Sequence, residues 1–136
     1  MVTFNDIQKA NEAMSTITLE RKDKKTGKTV SKEYAEVNQR IKAFRMVYPE
    51  GTIETEMLSN SDGVVIFKAT AKNIDIILGT GHAYEKESSS FINQTSYIEN
   101  AETSAIGRCL GACGFGIDTS VASYEEVANA IKNQET

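Results

Sequence analysis

Tyr97-Ile-Glu-Asn-Ala-Glu-Thr-Ser-Ala-Ile-Gly-Arg-Cys-Leu-Gly-Ala-Cys-Gly-Phe-Gly116 is the stretch on which the fold turns. Apolar residues recur at Ile98, Ala101, Ala105, Cys109 and Ala112, with Ile106, Leu110 and Cys113 beside them. Spacings of three and four predict a helix, roughly Thr95 to Cys113, with a buried face. Gly114-Phe-Gly116 supplies the left-handed residues that close it. A second row, Asn100, Ser104, Gly107 and Gly111, has almost no side-chain bulk. Glycine inside a helix costs about 1 kcal/mol relative to alanine, and this segment carries two. Two readings explain the small row. Either the helix packs tightly on a sheet, or the row floors a groove where a nucleic-acid backbone approaches and meets Arg108. One helix can do both on different sides.

Working outward, the pattern switches from helical to alternating and back. Phe4, Ile7, Ala10 and Met14 recur at helical spacing, with Thr3 or Asn5 available as cap. Ile17 to Arg21 and Thr29 to Tyr34 alternate around Asp23-Lys-Lys-Thr-Gly-Lys28, a basic β-hairpin. Val37, Ile41, Phe44 and Tyr48 mark a second helix that ends at Pro49-Glu-Gly51. Three strands follow, Thr52 to Leu58, Val64 to Lys72 and Ile76 to Glu85, joined by Asn60-Ser-Asp-Gly63 and Asn73-Ile-Asp75. After the long helix, Ser123 starts a last one, about residues 123–134, with Glu126 at the capping-box position. The predicted class is α+β. An antiparallel hairpin and a three-stranded meander pack against a long small-residue helix, with helices at both termini. The 136 residues suit one domain, with its core between about residues 15 and 116.

Charge is divided unevenly. The whole chain carries −4. Between Glu20 and Arg45, however, nine bases (Arg21, Lys22, Lys24, Lys25, Lys28, Lys32, Arg40, Lys42 and Arg45) face four acids, a net of +5. From Met46 onward five bases face thirteen acids, a net of −8. Screening confines electrostatics to about 10 Å, so a local basic patch and not the total charge attracts a polyanion. A solvated lysine-rich hairpin explains the same residues without a ligand. No run of about 18 apolar residues suggests a membrane span, and no charged-then-apolar leader opens the chain. The expectation is a cytoplasmic protein, in the host bacterial cytoplasm if phage-encoded, with no membrane partner. In that compartment the acceptor motif Asn93-Gln-Thr95 carries no meaning, and Cys109 and Cys113 read as reduced, buried small residues.

Catalytic chemistry finds little footing. His82 is the only histidine, which removes the usual nucleophile–base pairs, and a satisfied structural role is expected for it. Gly79-Thr-Gly81 lacks the lysine of a phosphate loop. Glu99 and Glu102 have no matching half of a metal site and are expected to face solvent near the helix start. We expect no enzyme activity, no cofactor and no metal.

The segment Asn100 to Gly116 resembles the signature helix of phage single-strand annealing proteins, in the superfamily that includes the Erf recombinases and the eukaryotic Rad-type annealing mediator. Tyr34-Ala-Glu-Val-Asn-Gln-Arg-Ile-Lys-Ala-Phe44 followed by Pro49-Glu-Gly51 is similar to the helix that precedes the meander there. The resemblance covers roughly Tyr34 to Gly116. It implies a β-β-β-α core assembled into rings or filaments, with single-stranded DNA in an outer groove and Arg108 at the phosphate-contacting helix position. Relatives often carry lysine before that arginine, where this chain has Gly107. They also carry a meander tryptophan that this chain lacks.

On this reading Arg108 and some of the nine bases hold phosphates and leave the nucleobases free to pair, without ATP. Partners are single-stranded DNA, further copies of the chain, and phage or host recombination proteins. Tyr84 and Phe91 are the best candidates for base stacking, although core packing is the commoner fate of such residues. Two alternatives stand beside annealing. One is single-strand binding alone. The other is a phage protein-interaction or anti-defence module that uses the acidic half.

Overall fold

The computed structural model describes residues 1–119. The helix expected at 123–134 lies outside them. Helix α1 is Phe4–Glu12, and the hairpin strands β1 and β2 are Ile17–Lys22 and Thr29–Tyr34. Helix α2 is Val37–Val47. The meander strands β3, β4 and β5 are Gly51–Ser61, Val64–Asn73 and Ile76–Lys86. A short 3-10 turn, Glu87–Ser89, leads into α3, Asn93–Ala112. The α+β class and the order of elements agree with the sequence reading.

Each element starts for a local reason. Thr3 caps α1 reciprocally with Asp6: the Asp6 backbone N–H donates to Thr3 Oγ1, and Asp6 Oδ2 accepts from the Thr3 N–H at 2.8 Å. That backbone hydrogen bond holds the Asp6 carboxyl below its usual pKa. The β3–β4 turn uses Asp62 and Gly63, both at positive φ, which matches the strand twist of a two-residue hairpin. β4 is the central strand, antiparallel to both neighbours. Its alternate residues Val65, Phe67, Ala69 and Ala71 are buried and face the helices. Val64, Ile66, Lys68, Thr70 and Lys72 line the opposite, open face.

Helix α3 lies across β5 and β4, with α2 against it and α1 against α2. Ala101, Ala105 and Cys109 are fully buried between helix and sheet. The strand side answers with Gly79 and Gly81. A β-carbon at Gly81 would stand 2.4 Å from the Cys109 nitrogen and 2.8 Å from the Ala105 carbonyl oxygen. Helix and strand backbones therefore meet where neither has bulk. Gly81→Ala forces them apart, and we expect a loss of about 3 kcal/mol, the upper range for overpacking a rigid core. Chemical denaturation measures it, and an unchanged midpoint would exclude this packing.

α3 begins earlier than the periodicity indicates, and it kinks at Ser96, whose φ of −136° and ψ of 19° are not helical. Asn93 explains the extra turn. Its side chain is fully buried, donates to Glu85 Oε2 at 2.8 Å and to Ser89 Oγ at 2.6 Å, and accepts from Asn100 at 2.8 Å. A buried amide is tolerable only when so satisfied. Asn93 is thus an anchor and not an exposed glycosylation acceptor. Glu99 is exposed, but Glu102 leans back on the sheet and accepts from Thr55 Oγ1 at 2.7 Å. The expectation that both face solvent holds only for Glu99.

Among the described residues no helix is long and apolar enough to cross a membrane.

Candidate functional site

The basic hairpin is a two-stranded sheet of its own, and among its side chains only Tyr34 is buried. Arg21, Lys22, Lys24, Lys25, Lys28 and Lys32 are all exposed. In register, Arg21 stands opposite Val30 and Leu19 opposite Lys32, so Arg21 and Lys32 share one face. Lys22, opposite Thr29, points to the other. The tip is ordered by an acid. Asp23 Oδ1 accepts from the Lys25 N–H at 2.9 Å, and the Asp23 carbonyl accepts from the Gly27 N–H at 2.8 Å. Gly27 takes the left-handed turn at φ +70°. Asp23 therefore folds the loop that presents Lys24, Lys25 and Lys28, as short polar side chains do in turns.

Arg40 does not join them. It is the largest fully buried side chain described, at 0% exposure. Its Nη1 donates to the Phe115 carbonyl at 2.7 Å and its Nη2 to Thr119 Oγ1 at 3.3 Å. The guanidinium lies against Gly116, where a β-carbon would approach within 3.0 Å. Asn11 ties the same turn to α1, donating to the Gly114 carbonyl and accepting from the Gly116 N–H, both at 2.9 Å. Phe44 and Tyr48 close over Phe115, with ring centroids at 5.7 and 6.4 Å in edge-on geometry. The phosphate role expected for Arg40 is corrected: it is a latch holding α2 to the glycine turn after α3.

The two other α2 bases are at the surface. Lys42 is exposed, at the rim of a groove of about 130 Å³ between α1 and α2 that Met14, Ala43 and Met46 also line. Arg45 is exposed too, but its Nη1 donates to the Gly51 carbonyl and its guanidinium sits 5.6 Å from the Phe44 ring. Arg108 is exposed on α3. Ala35, next to the hairpin's last residue, meets Gly116, so the hairpin is rooted at the C-terminal end of α3. Arg108 lies five residues before Cys113, about 7.5 Å along the helix axis at 1.5 Å per residue.

The small row does not floor a groove. Ser104, Gly107 and Gly111 are buried within the fold. The α3 residues that meet the sheet belong to the neighbouring row, Ala101, Ala105 and Cys109. His82 also departs from expectation, since it is exposed on the open sheet face. Both stacking candidates are at the surface and not in the core, Tyr84 at 62% exposure and Phe91 at 84%. The signal is present in the alternation: once Val65 and Phe67 face inward, their cross-strand partners Glu85 and Ala83 do too, and Tyr84 and His82 must face out.

Cys109 is buried and its thiol donates to the Gly79 carbonyl at 3.4 Å, while Cys113 is half-buried beside it. The hydrogen bond that Cys113 shares with Cys109, with burial second, holds the Cys113 pKa above that of an ordinary thiol. A raised pKa keeps the proton on sulfur through neutral and mildly alkaline pH, and only the thiolate is the nucleophile. We expect both cysteines of the folded protein to react with a thiol reagent at pH 8 more than tenfold slower than in denaturant, Cys109 because it is buried and Cys113 because it is half-buried and stays protonated. Equal rates in the two states would refute this placement.

Residues 41–113, from within α2 to the residue that follows α3, match the family model described as Slr1353 N-terminal dsRNA-binding domain-like. The match spans more than half of the chain. Comparison with curated proteins yields no match.

Proposed function

The chain belongs to the Slr1353 N-terminal dsRNA-binding domain-like family, and from that premise we propose that it binds nucleic acid by the sugar-phosphate backbone. The observation that carries this reading is the exposed basic hairpin, whose tip lysines are set in place by the Asp23 turn. Lys42 and Arg108 supply further exposed positive charge on α2 and α3. Phosphate contacts of this kind position a strand without reading it.

The finer proposal is that the ligand is single-stranded DNA and that the protein anneals complementary strands without ATP, as a ring or filament. The resemblance of Asn100–Gly116 to annealing proteins supports it. Subunits side by side would align their hairpins, and a modest patch per copy would add up through multivalency. This reconciles a net charge of −4 with a polyanionic ligand. A second reading, duplex binding by shape, draws on the family description. Shape readers of double-stranded RNA engage successive grooves and the phosphates between them. Two surfaces beside the helices speak against that mode. The β3–β4 turn carries Asp62, and the first turn of α3 carries no base.

Gel-shift titrations at two salt concentrations with single- and double-stranded DNA and RNA test the proposal, together with annealing of two complementary labelled strands and mass photometry. Preference for single strands, with accelerated annealing and an oligomer, is the expected result. Binding without acceleration would leave a single-strand binder. Absence of all binding would remove the reading.

A further inference from the structure

We propose that the β4–β5 half of the open sheet face is a stacking surface for a single-stranded polynucleotide, with a base lying on the Tyr84 ring. This rests on the backbone-binding reading above and adds a second, base-directed surface away from the hairpin. Tyr84 stands opposite Ile66, His82 opposite Lys68 and Lys86 opposite Val64. All six residues are on the face turned away from α3, alternating with buried Val65 and Phe67. Directly paired side chains are about 5 Å apart and diagonal ones about 7–8 Å. Lys68 and Lys86 are thus both within reach of the phosphates that flank a base on Tyr84.

Charge separates across this face. Its acids, Glu54 and Glu56, are both on β3, and Glu54 is already bound to Lys72 at 3.1 Å. Glu56 stands opposite Lys68 across the β3–β4 pair, while Lys86, opposite Val64, has no carboxylate across from it; on the β4–β5 half of this face the described residues include Lys68, Lys72 and Lys86 and no carboxylate. A tyrosine that leaves 62% of its surface in water, between cations and beside the half-buried Ile66, suits a ligand with a π-face and a negative backbone. Bases of a duplex stack on one another and offer no free face, so the ligand must be unpaired.

The test uses the full chain with labelled oligo(dT), an abasic sugar-phosphate oligomer of equal length, and a duplex. Tyr84→Ala is expected to weaken oligo(dT) binding about tenfold, the size of one stacked base. Binding of the abasic oligomer and of the duplex should not change, and Tyr84→Phe should bind oligo(dT) like the parent. The chain has no tryptophan, so Tyr84→Trp introduces a sole indole whose fluorescence oligo(dT) should quench. Undiminished oligo(dT) binding by Tyr84→Ala, an equal loss on the abasic oligomer, or an unquenched indole would each overturn the proposal. If neutralising Lys24, Lys25 and Lys28 abolishes binding while Tyr84→Ala leaves it intact, the hairpin reading stands and the stacking surface falls. If the parent chain binds no polynucleotide, both fall.

Discussion

Lys24→Gln, Lys25→Gln and Lys28→Gln together are expected to weaken single-stranded DNA binding roughly a hundredfold at 50 mM salt and to flatten the salt dependence by about 2 in log–log slope. The size follows from counterion release, about 0.7 of slope for each single-strand phosphate that a cation no longer neutralises. These lysines ride on a turn whose shape comes from Asp23, Thr26 and Gly27. Glutamine at the three lysine positions leaves those hydrogen bonds in place. The hairpin tip is exposed, so thermal stability should stay within about 0.5 kcal/mol of the parent. Fluorescence anisotropy titrations across a salt series read both quantities. A parallel shift with no change of slope would place the phosphate-binding residues elsewhere and remove the hairpin from the interface.

Arg40→Ala should cost stability, by about 4 kcal/mol, which for a domain of this size lowers Tm by roughly 15 °C. The substitution deletes a buried guanidinium, strips the Phe115 carbonyl of a charge-assisted donor at 2.7 Å, and leaves a void between Gly116 and α2. The glycine turn is also where α1 attaches through Asn11, so loosening it uncouples three helices at once. Were Arg40 instead a phosphate ligand, its loss would reduce affinity and leave Tm in place. Differential scanning calorimetry beside a binding titration separates the two, and an unmoved Tm would sink the latch.

Arg40 illustrates what a one-dimensional reading misses. Within Glu20–Arg45 it looks like its eight basic neighbours, because a charge count weighs composition and not depth. Its helical phase holds a hint, since Arg40 falls on the same side of α2 as Val37, Phe44 and Ala43. The carbonyl that keeps it buried belongs to Phe115, 75 residues on. His82 departs in the opposite direction, and the register also decides between the two readings of Tyr84. A lone histidine in a strand reads as a structural residue, and a tyrosine there as either a core or a stacking residue, until the register with β4 puts both on the open face. Asn93 escapes a sequence reading because its stabilising partners, Glu85 and Asn100, are spread over separate elements.

Periodicity and turn chemistry are local, and they are enough to set out two helices, a hairpin, a meander and a long glycine-closed helix, each within a few residues. Alternation in β4 also determines which residues enter the core, because a strand has only two faces. Depth and proximity are not local. That the small row of α3 is interior, that Gly79 and Gly81 are where the helix backbone comes down on β5, and that one arginine among nine bases is a latch all depend on which distant segments the chain brings together. Burial energy is decided by those long-range partners, so only the assembled structure could sort the surface cations from the structural one.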